Sequence, residues 1–348
     1  MNELFLEEGK LVSRGEWEQR VAALEHGRAP ADAVTAVGDA LRNAVLDRVP
    51  PPHGAPLGLL FSGGLDCSII ALLLAQAGVP FTAITVGFRD GNAKEPEDIM
   101  AARAAAKLLD IQYEEVLLDL AGAETVLRET ALLLGEDLAT VVNLGVGGVA
   151  VAAIQRGKAL GITHFFGGLG AEELFAGYDR HERVWEQQGE EALQAECLRG
   201  LKAMWQQDLL RDTTIAHALG IKLHTPFLDP ALIALALAIP AEQKMSAKKT
   251  YRRYNRAYND STPKAHKKTY EGRARGDIVV TRPYKKLVLR EAAEALGLPH
   301  SIAWRPKRAA QYGSRLNNAL TKLAKRRGFP HKDAYIRSLR AESLGAEY

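Results

Sequence analysis

A five-residue turn separates two apolar runs in the stretch LLFSGGLDCSIIALLLAQAG, at residues 59–78. The run before the turn has the length of a buried strand, and the run after it has the length of a helix. Apolar, β-rich runs at 57–61, 81–88, 113–118 and 162–166 continue this pattern and alternate with helical segments. Alternation at this spacing predicts an α/β fold, a doubly wound parallel sheet.

Four helices are predicted between these strands. They cover residues 68–76, 97–109, 124–134 and 147–160. The first is stopped by Gly78 and Pro80, and the second opens with acidic side chains at its positive end. Beyond about residue 185 the chain is predicted to be mostly helical.

The composition is that of an ordinary soluble globular protein, because 47% of the 348 residues are hydrophobic and 25% are charged. No apolar run reaches the roughly 18 residues of a membrane span, and the N-terminus is acidic where a signal peptide would be basic. We therefore expect a cytoplasmic protein with no membrane partner. The two cysteines, Cys67 and Cys197, are too far apart in sequence to indicate a disulfide framework or a structural zinc site.

The turn SGGLD lies where the first strand ends and its helix begins. Backbone N–H groups of Gly63 and Gly64 can face an anion there, and Ser62 adds a hydroxyl donor. Asp66 would repel a phosphate unless a divalent cation lay between them, so the turn predicts a phosphate site with Mg²⁺. The alternative is a structural turn in which Asp66 caps the helix. A Walker loop is excluded because no Gly-Lys-Ser/Thr follows.

Four motifs resemble those of one enzyme family. SGGLDCS resembles the SGGxDS loop of the PP-loop ATP pyrophosphatase superfamily. GGLGAEELFAGYDRH (167–181) and LGIKLHTPFLDPALIALALAIP (219–240) are similar to the synthetase domain of glutamine-hydrolysing asparagine synthetases and to β-lactam synthetase. RPKRAAQYGS (305–314) resembles the basic motif near the C-terminus of that domain. The four motifs occur in the order that the family has.

This resemblance implies a domain organisation and a PP-loop adenine nucleotide hydrolase-like sheet. We expect a helical N-terminal segment and linker at 1–56, a synthetase domain at 57–314 and a basic helical tail at 315–348. A glutaminase domain is not expected ahead of residue 57, and Asn2 stands where that domain would have its cysteine nucleophile.

The resemblance also implies a reaction. A substrate carboxylate attacks the ATP α-phosphate, pyrophosphate leaves with Mg²⁺, and ammonia or an amine displaces AMP to give an amide. The expected protein is thus an ATP-dependent carbon–nitrogen ligase. Its expected partners are a small-molecule carboxylate, ammonia or an amine, and a separate glutaminase subunit as a candidate ammonia source.

Each motif carries implied site residues. The nucleotide-binding residues are Ser62, Gly63, Gly64, Asp66, Cys67, Val86, Gly87, Gly168 and Lys307. The metal ligands are Asp66 and Glu172. The catalytic residues are Lys307, Asp66, Glu172 and Glu173, with Lys307 neutralising charge on the α-phosphate and the leaving group.

Four positions depart from the family pattern. Leu169 replaces a glutamate associated with amide formation, which leaves Glu173 as the spare carboxylate nearest in sequence. His224 replaces the arginine before PFLD, so the carboxylate substrate is open. Glu172 replaces an aspartate, and Cys67 replaces a serine and is either a passive loop residue or a reactive thiol.

Several structural interpretations stand beside these. Asp229 is expected to cap the helix that begins at Pro230, and His164 is expected to be structural. Tyr178 is either a packing residue or a substrate contact.

Positive charge is concentrated in one segment. The formal net charge is +3, yet residues 248–286 carry thirteen Lys and Arg against three acidic residues, with tyrosines interleaved. This basic segment is interpreted as a solvated surface loop, as a segment that closes over ATP pyrophosphate, or as an RNA-binding surface. Two further functions stay open. One is a tRNA-modifying PP-loop enzyme that holds RNA with this segment, and the other is a non-catalytic nucleotide-binding or regulatory protein whose chemistry was lost with the glutamate that Leu169 replaces.

Overall fold

The computed structural model describes residues 3–25, 27–51, 56–91, 93–245, 284–306 and 310–343. The chain begins with an antiparallel hairpin, β1 (Leu6–Glu7) and β2 (Lys10–Leu11). Two helices follow, α1 (Arg14–Ala22) and α2 (Ala33–Leu46). Ser13 and Asp32 cap them, since each side chain accepts a hydrogen bond from the first turn of its helix.

Five parallel strands form the central sheet. They are β3 (Leu57–Leu60), β4 (Phe81–Phe88), β5 (Tyr113–Leu118), β6 (His164–Phe166) and β7 (Lys222–His224). Their order in space is β5-β4-β3-β6-β7. The chain thus runs outward from β3 to one edge and then returns to build the other side. In parallel sheets such a reversal, here between β3 and β6, opens a ligand crevice at the carboxyl ends of the strands.

Helices cover both faces of this sheet. The first four are α3 (Leu65–Gln76), α4 (Glu97–Leu109), α5 (Leu120–Leu138) and α6 (Val141–Ala159). Side chains of β4 alternate between two cores: Ala83 packs with α3 and α4, whereas Ile84 and Val86 pack with α5 and α6. The prediction of a doubly wound parallel sheet is confirmed.

The rest of the described chain is mostly helical, as predicted. Its helices are α7 (Ala171–Leu174), α8 (Asp179–Gln188), α9 (Glu190–Met204), α10 (Leu210–Ala218), α11 (Pro230–Ala238), α12 (Ala241–Lys244), α13 (Leu287–Ala295), α14 (His300–Ala303), α15 (Ala310–Gly313), α16 (Leu316–Arg326) and α17 (Lys332–Ser343). A π-helical turn, Trp205–Leu209, joins α9 to α10. No helix within the described ranges is both long enough and apolar enough to span a membrane.

Some element boundaries differ from the predicted ones. Helix α3 begins at Leu65, three residues earlier than predicted, because Gly64 is its N-cap. Helix α5 is longer than predicted and contains a kink at Gly135, where φ is +68°. Strand β7 was not predicted, since three residues at a sheet edge are too few to show a period-two pattern.

The N-terminal segment packs on the sheet domain rather than standing apart from it. Trp17 in α1 is fully buried, and its Nε1–H donates to the carbonyl oxygen of Leu201 in α9 at 3.1 Å. Val37 and Leu41 of α2 lie in the same core as α3 and α13. The division of the chain at residues 57 and 314 stays a prediction.

Candidate active site

The loop between β3 and α3 presents an uncapped helix N-terminus. Gly64 is the N-cap residue, and no side chain caps the helix there. Asp66 lies inside the first turn, so the alternative in which Asp66 is the N-cap is wrong. The first N–H groups of a helix have no partner within the helix and are ready donors to an anion.

Gly63 lets this loop lie directly against α4. Its φ is +64°, and a Cβ atom at this position would lie 2.6 Å from backbone atoms of Ala101 and Ala102. Both the backbone conformation and the close approach require glycine. The loop geometry is therefore fixed by packing before any ligand binds.

Cys67 holds the loop from inside. Its thiol donates to the carbonyl oxygen of Gly64 at 3.4 Å and accepts from the backbone N–H of Ser62 at the same distance. Burial raises the pKa of the Cys67 thiol, which disfavours the thiolate that a nucleophile needs. This environment supports the passive loop role. Cys197 is buried as well, and burial raises its pKa too.

Asp66 and Glu172 bracket one ammonium group. They belong to different motifs, at the start of α3 and in α7. Lys286 Nζ lies 2.7 Å and 2.8 Å from the two carboxylate oxygens of Asp66, and 2.5 Å from Oε1 of Glu172. Burial acts to lower the pKa of Lys286, but the two carboxylates raise it above its ordinary value. The ammonium therefore stays charged.

This pair of carboxylates fits a divalent cation that is shared with a phosphate. A single cation can touch both side chains, and Mg²⁺ is typically held by one or two carboxylates together with waters and substrate phosphates. Within the described ranges no group of three or more His, Cys, Asp or Glu side chains is placed to hold a metal ion. A cage of protein ligands alone is thus absent from that part of the chain. The assignment of Asp66 and Glu172 as metal ligands stays a prediction.

A cavity of about 190 Å³ lies beside the loop, at the carboxyl ends of β3 and β4. Its walls include Ser62, Thr85 and Val86 from the strand ends, Ala150 from α6 and Ile215 from α10. The walls are mostly apolar, which suits a flat aromatic base. Gly87 has a packing role: a Cβ atom there would lie 2.6 Å from Ile99.

The loop after β6 closes over the β3–α3 loop. A Cβ atom on Gly168 would lie 3.0 Å from the Asp66 Cβ. Leu169 packs against the main core. Gly170, with φ +102°, then starts α7, which carries Glu172. The structure thus brings the two glycine-rich motifs together at the switch point of the sheet.

Glu173 points into the protein beside Tyr178. Its Oε1 accepts a hydrogen bond from the Tyr178 hydroxyl at 2.7 Å, and Gly200 of α9 lies against its side chain. Burial, with smaller contributions from the Asp208 and Glu172 carboxylates, raises the pKa of Glu173 to about 7. This carboxyl group can therefore gain and lose a proton near neutral pH.

His224 lies in a buried polar network that the sequence did not reveal. Its Nε2 is 3.0 Å from Nδ1 of His164, and its Nδ1 is 3.7 Å from Oε1 of Glu3. Glu3 also binds Arg48, whose Nη1 donates to Asp229 at 3.0 Å. Burial acts to raise the pKa of Glu3, but His224, Arg48 and Thr225 hold it below its ordinary value.

Asp229 has the capping role expected of it, since its Oδ1 accepts from the backbone N–H of Ala231 at 2.9 Å. The same carboxylate binds Arg48 through its other oxygen. His164, expected to be structural, takes part in the network through His224, and burial lowers its pKa.

The C-terminal basic motif reaches the β3–α3 loop. Arg305 donates through Nη1 to the carbonyl oxygen of Ser62 at 3.1 Å, and its Nη2 lies 3.7 Å from Asp98. Lys307 lies outside the described residues, as does the basic segment up to residue 283. The roles assigned to them stay predictions.

Lys286 was missed as a site residue. The sequence indicated only a helix start there, because Lys286 directly precedes the amphipathic pattern LVLREAAEAL. The surrounding Lys and Arg residues concealed it. Glu3 and Arg48 gave no signal, because nothing in a sequence pairs residues so far apart.

The parallel sheet, its switch-point crevice and the glycine-rich loop define an α/β protein with a candidate ligand site at the carboxyl ends of its strands. The sequence model described as asparagine synthase matches residues 36–189 and 182–335. The chain belongs to the asparagine synthase family.

Two relatives illustrate the match. A putative glutamine-hydrolysing asparagine synthetase of Methanocaldococcus jannaschii is 33% identical over 296 residues, 84% of this chain and 52% of that protein. The glutamine-hydrolysing asparagine synthetase of Homo sapiens is 28% identical over 266 residues, 74% of this chain and 39% of that protein. The chain therefore spans about half or less of the length of these relatives.

Among solved structures, an NMN synthetase from Francisella tularensis aligns with 97% of this chain and 88% of its own, at 13% identity and a TM-score of 0.34.

Proposed function

We propose that this chain is an ATP-dependent ligase that activates a carboxylate as its adenylate, releases pyrophosphate, and transfers the acyl group to ammonia or an amine. The observation that carries the proposal is that the Asp66 and Glu172 carboxylates meet around the Lys286 ammonium, next to the uncapped N-terminus of α3. Two separate motifs of the sequence converge there, and membership of the asparagine synthase family supports the same chemistry.

Each part of the site has a role in this proposal. The apolar cavity, which Val86 lines, takes the adenine. Backbone groups of Val86 and of the next residue, Gly87, would contact the base. The N–H groups of Gly63 and Gly64 and the hydroxyl of Ser62 hold pyrophosphate oxygens, and Gly168 lines the nucleotide. Lys307 neutralises charge at the α-phosphate. Mg²⁺ held by Asp66 and Glu172 would supply charge neutralisation at the leaving pyrophosphate.

The second half-reaction needs a proton acceptor for the attacking amine. Leu169 cannot supply one, whereas Glu173 is a carboxyl group with a pKa of about 7. A group with a pKa near the working pH is the most effective general base. We assign Glu173 this role, with Tyr178 setting its basicity through their hydrogen bond.

The substrate differs from aspartate in this proposal. His224 stands in place of the arginine before PFLD, and it is held by His164 and Glu3 rather than left to meet a second carboxylate. The tRNA-modifying alternative depends on the basic segment, most of which lies outside the described residues. The non-catalytic alternative predicts nucleotide binding without pyrophosphate release.

The test is ATP–pyrophosphate exchange with Mg²⁺, screened over amino acids, other small carboxylates and tRNA. We expect exchange with a subset of the carboxylates, and its loss in Asp66→Asn. The matched control is Asp90→Asn, which changes an exposed carboxylate paired with Lys322. Exchange that depends on tRNA would favour the RNA-modifying alternative, and nucleotide binding without any exchange would contradict the proposal.

A further inference from the structure

Lys286 has the features of a built-in component of the site rather than of a surface lysine. Its residue is 4% exposed, although the sequence places it at the end of a strongly basic segment. Among the described residues, its three close oxygen contacts belong to Asp66 and Glu172. A buried lysine in contact with both carboxylates assigned to the metal needs an explanation.

Lys286 adopts an unfavourable backbone conformation to reach the site. Its φ of 59° and ψ of 39° are left-handed values that cost a residue with a side chain about 1–2 kcal/mol. Gly177 makes room for the ion pair, because a Cβ atom there would overlap both the Glu172 carboxylate and the Lys286 side chain. Arg290 fixes the backbone next to it, donating to the Lys285 carbonyl oxygen at 2.7 Å.

The ammonium and a divalent cation need the same oxygen atoms. Lys286 contacts both oxygens of Asp66 and one of Glu172 at 2.5–2.8 Å. Mg²⁺ would have to approach such oxygens to about 2.0–2.1 Å. Two cations on the same oxygen atoms would repel each other strongly, because the site is buried and the dielectric constant there is low. Only one of them can hold these carboxylates at a time.

We propose that Lys286 is an internal counter-ion that excludes free divalent cations from Asp66 and Glu172 and yields the two carboxylates only when metal arrives with a nucleotide. This inference rests on the proposed function for the identity of the ligand. The phosphates that accompany the metal give the displaced ammonium a new anionic partner at the α3 N-terminus. Metal without phosphate gives it none, so metal alone binds weakly.

The test measures the binding of Mn²⁺ to the full chain in the absence of nucleotide, by the loss of its free EPR signal. When Lys286 is present, Asp66→Asn should change Mn²⁺ binding little, because Lys286 already occupies the carboxylates. Lys286→Met should raise the affinity about tenfold or more, since one positive charge leaves the site. In the double variant, Asp66→Asn should abolish that gain.

Matched variants separate the counter-ion from a general effect of charge. Lys285→Met removes a neighbouring lysine that pairs with Asp179 and Glu182 outside the site, and should leave Mn²⁺ binding unchanged. Lys286→Arg keeps the charge and should not show the gain. Lys286→Gln repeats the measurement if the methionine variant does not fold.

Two results would overturn the inference. One is Mn²⁺ binding to the wild-type protein without nucleotide that is lost in Asp66→Asn. This comparison needs no Lys286 variant. The other is a folded Lys286→Met or Lys286→Gln protein that binds Mn²⁺ no better than the wild type. Neither depends on turnover. If Lys286→Met binds Mn²⁺ more tightly but the wild type shows no ATP–pyrophosphate exchange, the counter-ion role is supported and the proposed ligase is contradicted.

Discussion

At the scale of single residues, the most informative side chain is Glu173. It is nearly fully buried, and its hydrogen-bonded partner is a neutral tyrosine rather than a cation. Burial therefore dominates and raises its pKa to about 7. The unfolded chain would ionise this carboxyl group near the ordinary glutamate pKa of 4.5, so between these two pH values the folded protein binds the extra proton.

This shift predicts how Glu173→Gln changes stability with pH. The folded state of the wild type loses stability as pH rises from about 4.5 to about 7, because the unfolded chain releases this proton there and the folded protein keeps it. A neutral amide has no such dependence. The variant should therefore gain stability over the wild type across that interval, by an amount on the order of 3 kcal/mol above pH 7, at about 1.4 kcal/mol for each pH unit between the two values. Urea unfolding at pH 5 and pH 8 measures this, with the exposed Glu191→Gln as the control.

The same carboxyl group predicts a kinetic effect. Glu173→Gln should keep ATP–pyrophosphate exchange but stop transfer to the amine, because only the second step needs the base. Tyr178→Phe removes a hydrogen bond that lowers the pKa of Glu173, so the pH profile of product formation should move to higher pH. A Glu173→Gln enzyme that forms product at the wild-type rate would exclude this role.

At the scale of elements, the β3–α3 loop depends on one close approach. Gly63→Ala should strain a backbone with φ +64° and also push the loop away from α4. Gly78→Ala is a matched control, because Gly78 has φ +66° and no atom within 4 Å of an added Cβ. Both should lose about 1 kcal/mol to the backbone strain. Only Gly63→Ala should lose more and weaken nucleotide binding, as measured by urea unfolding and by calorimetric titration.

Most of the elements were predictable from the sequence because their patterns are local. The buried strands near 57–61 and 81–88 and the long helices show clear runs, and the glycines of SGGLD mark the loop. Strand β7 escaped because it is three residues long. Lys286 escaped because its partners, Asp66 and Glu172, lie 220 and 114 residues earlier in the sequence, and no local rule pairs them. The same holds for Glu3 with His224.

At the scale of the whole molecule, the N-terminal segment is tied to the site through buried charge. Arg48, which follows α2, binds Glu3 and Asp229. Asp229 is the last residue of the PFLD motif and the N-cap of α11. A buried cation between two carboxylates links the first residues of the described chain to the edge of the sheet. Removing it leaves two buried carboxylates without their shared partner.

Arg48→Met should therefore destabilise the protein by about 3–5 kcal/mol. The exposed Arg42→Met in α2 is the control and should have little effect. Combining Arg48→Met with Glu3→Gln should recover part of the loss, because one uncompensated charge is removed. Urea unfolding of the four proteins checks this, and a loss in Arg48→Met no greater than in Arg42→Met would contradict it.

The central claim is that the substrate carboxylate attacks the α-phosphate of ATP. The most direct measurement uses a carboxylate active in the exchange screen, labelled with ¹⁸O in both carboxyl oxygens, and follows the label by mass spectrometry after amide formation. The account predicts one ¹⁸O atom in AMP and none in pyrophosphate, because that oxygen bridges the acyl group and the α-phosphate before the amine displaces AMP. Formation of ADP with ¹⁸O in inorganic phosphate, or of AMP without label, would contradict it.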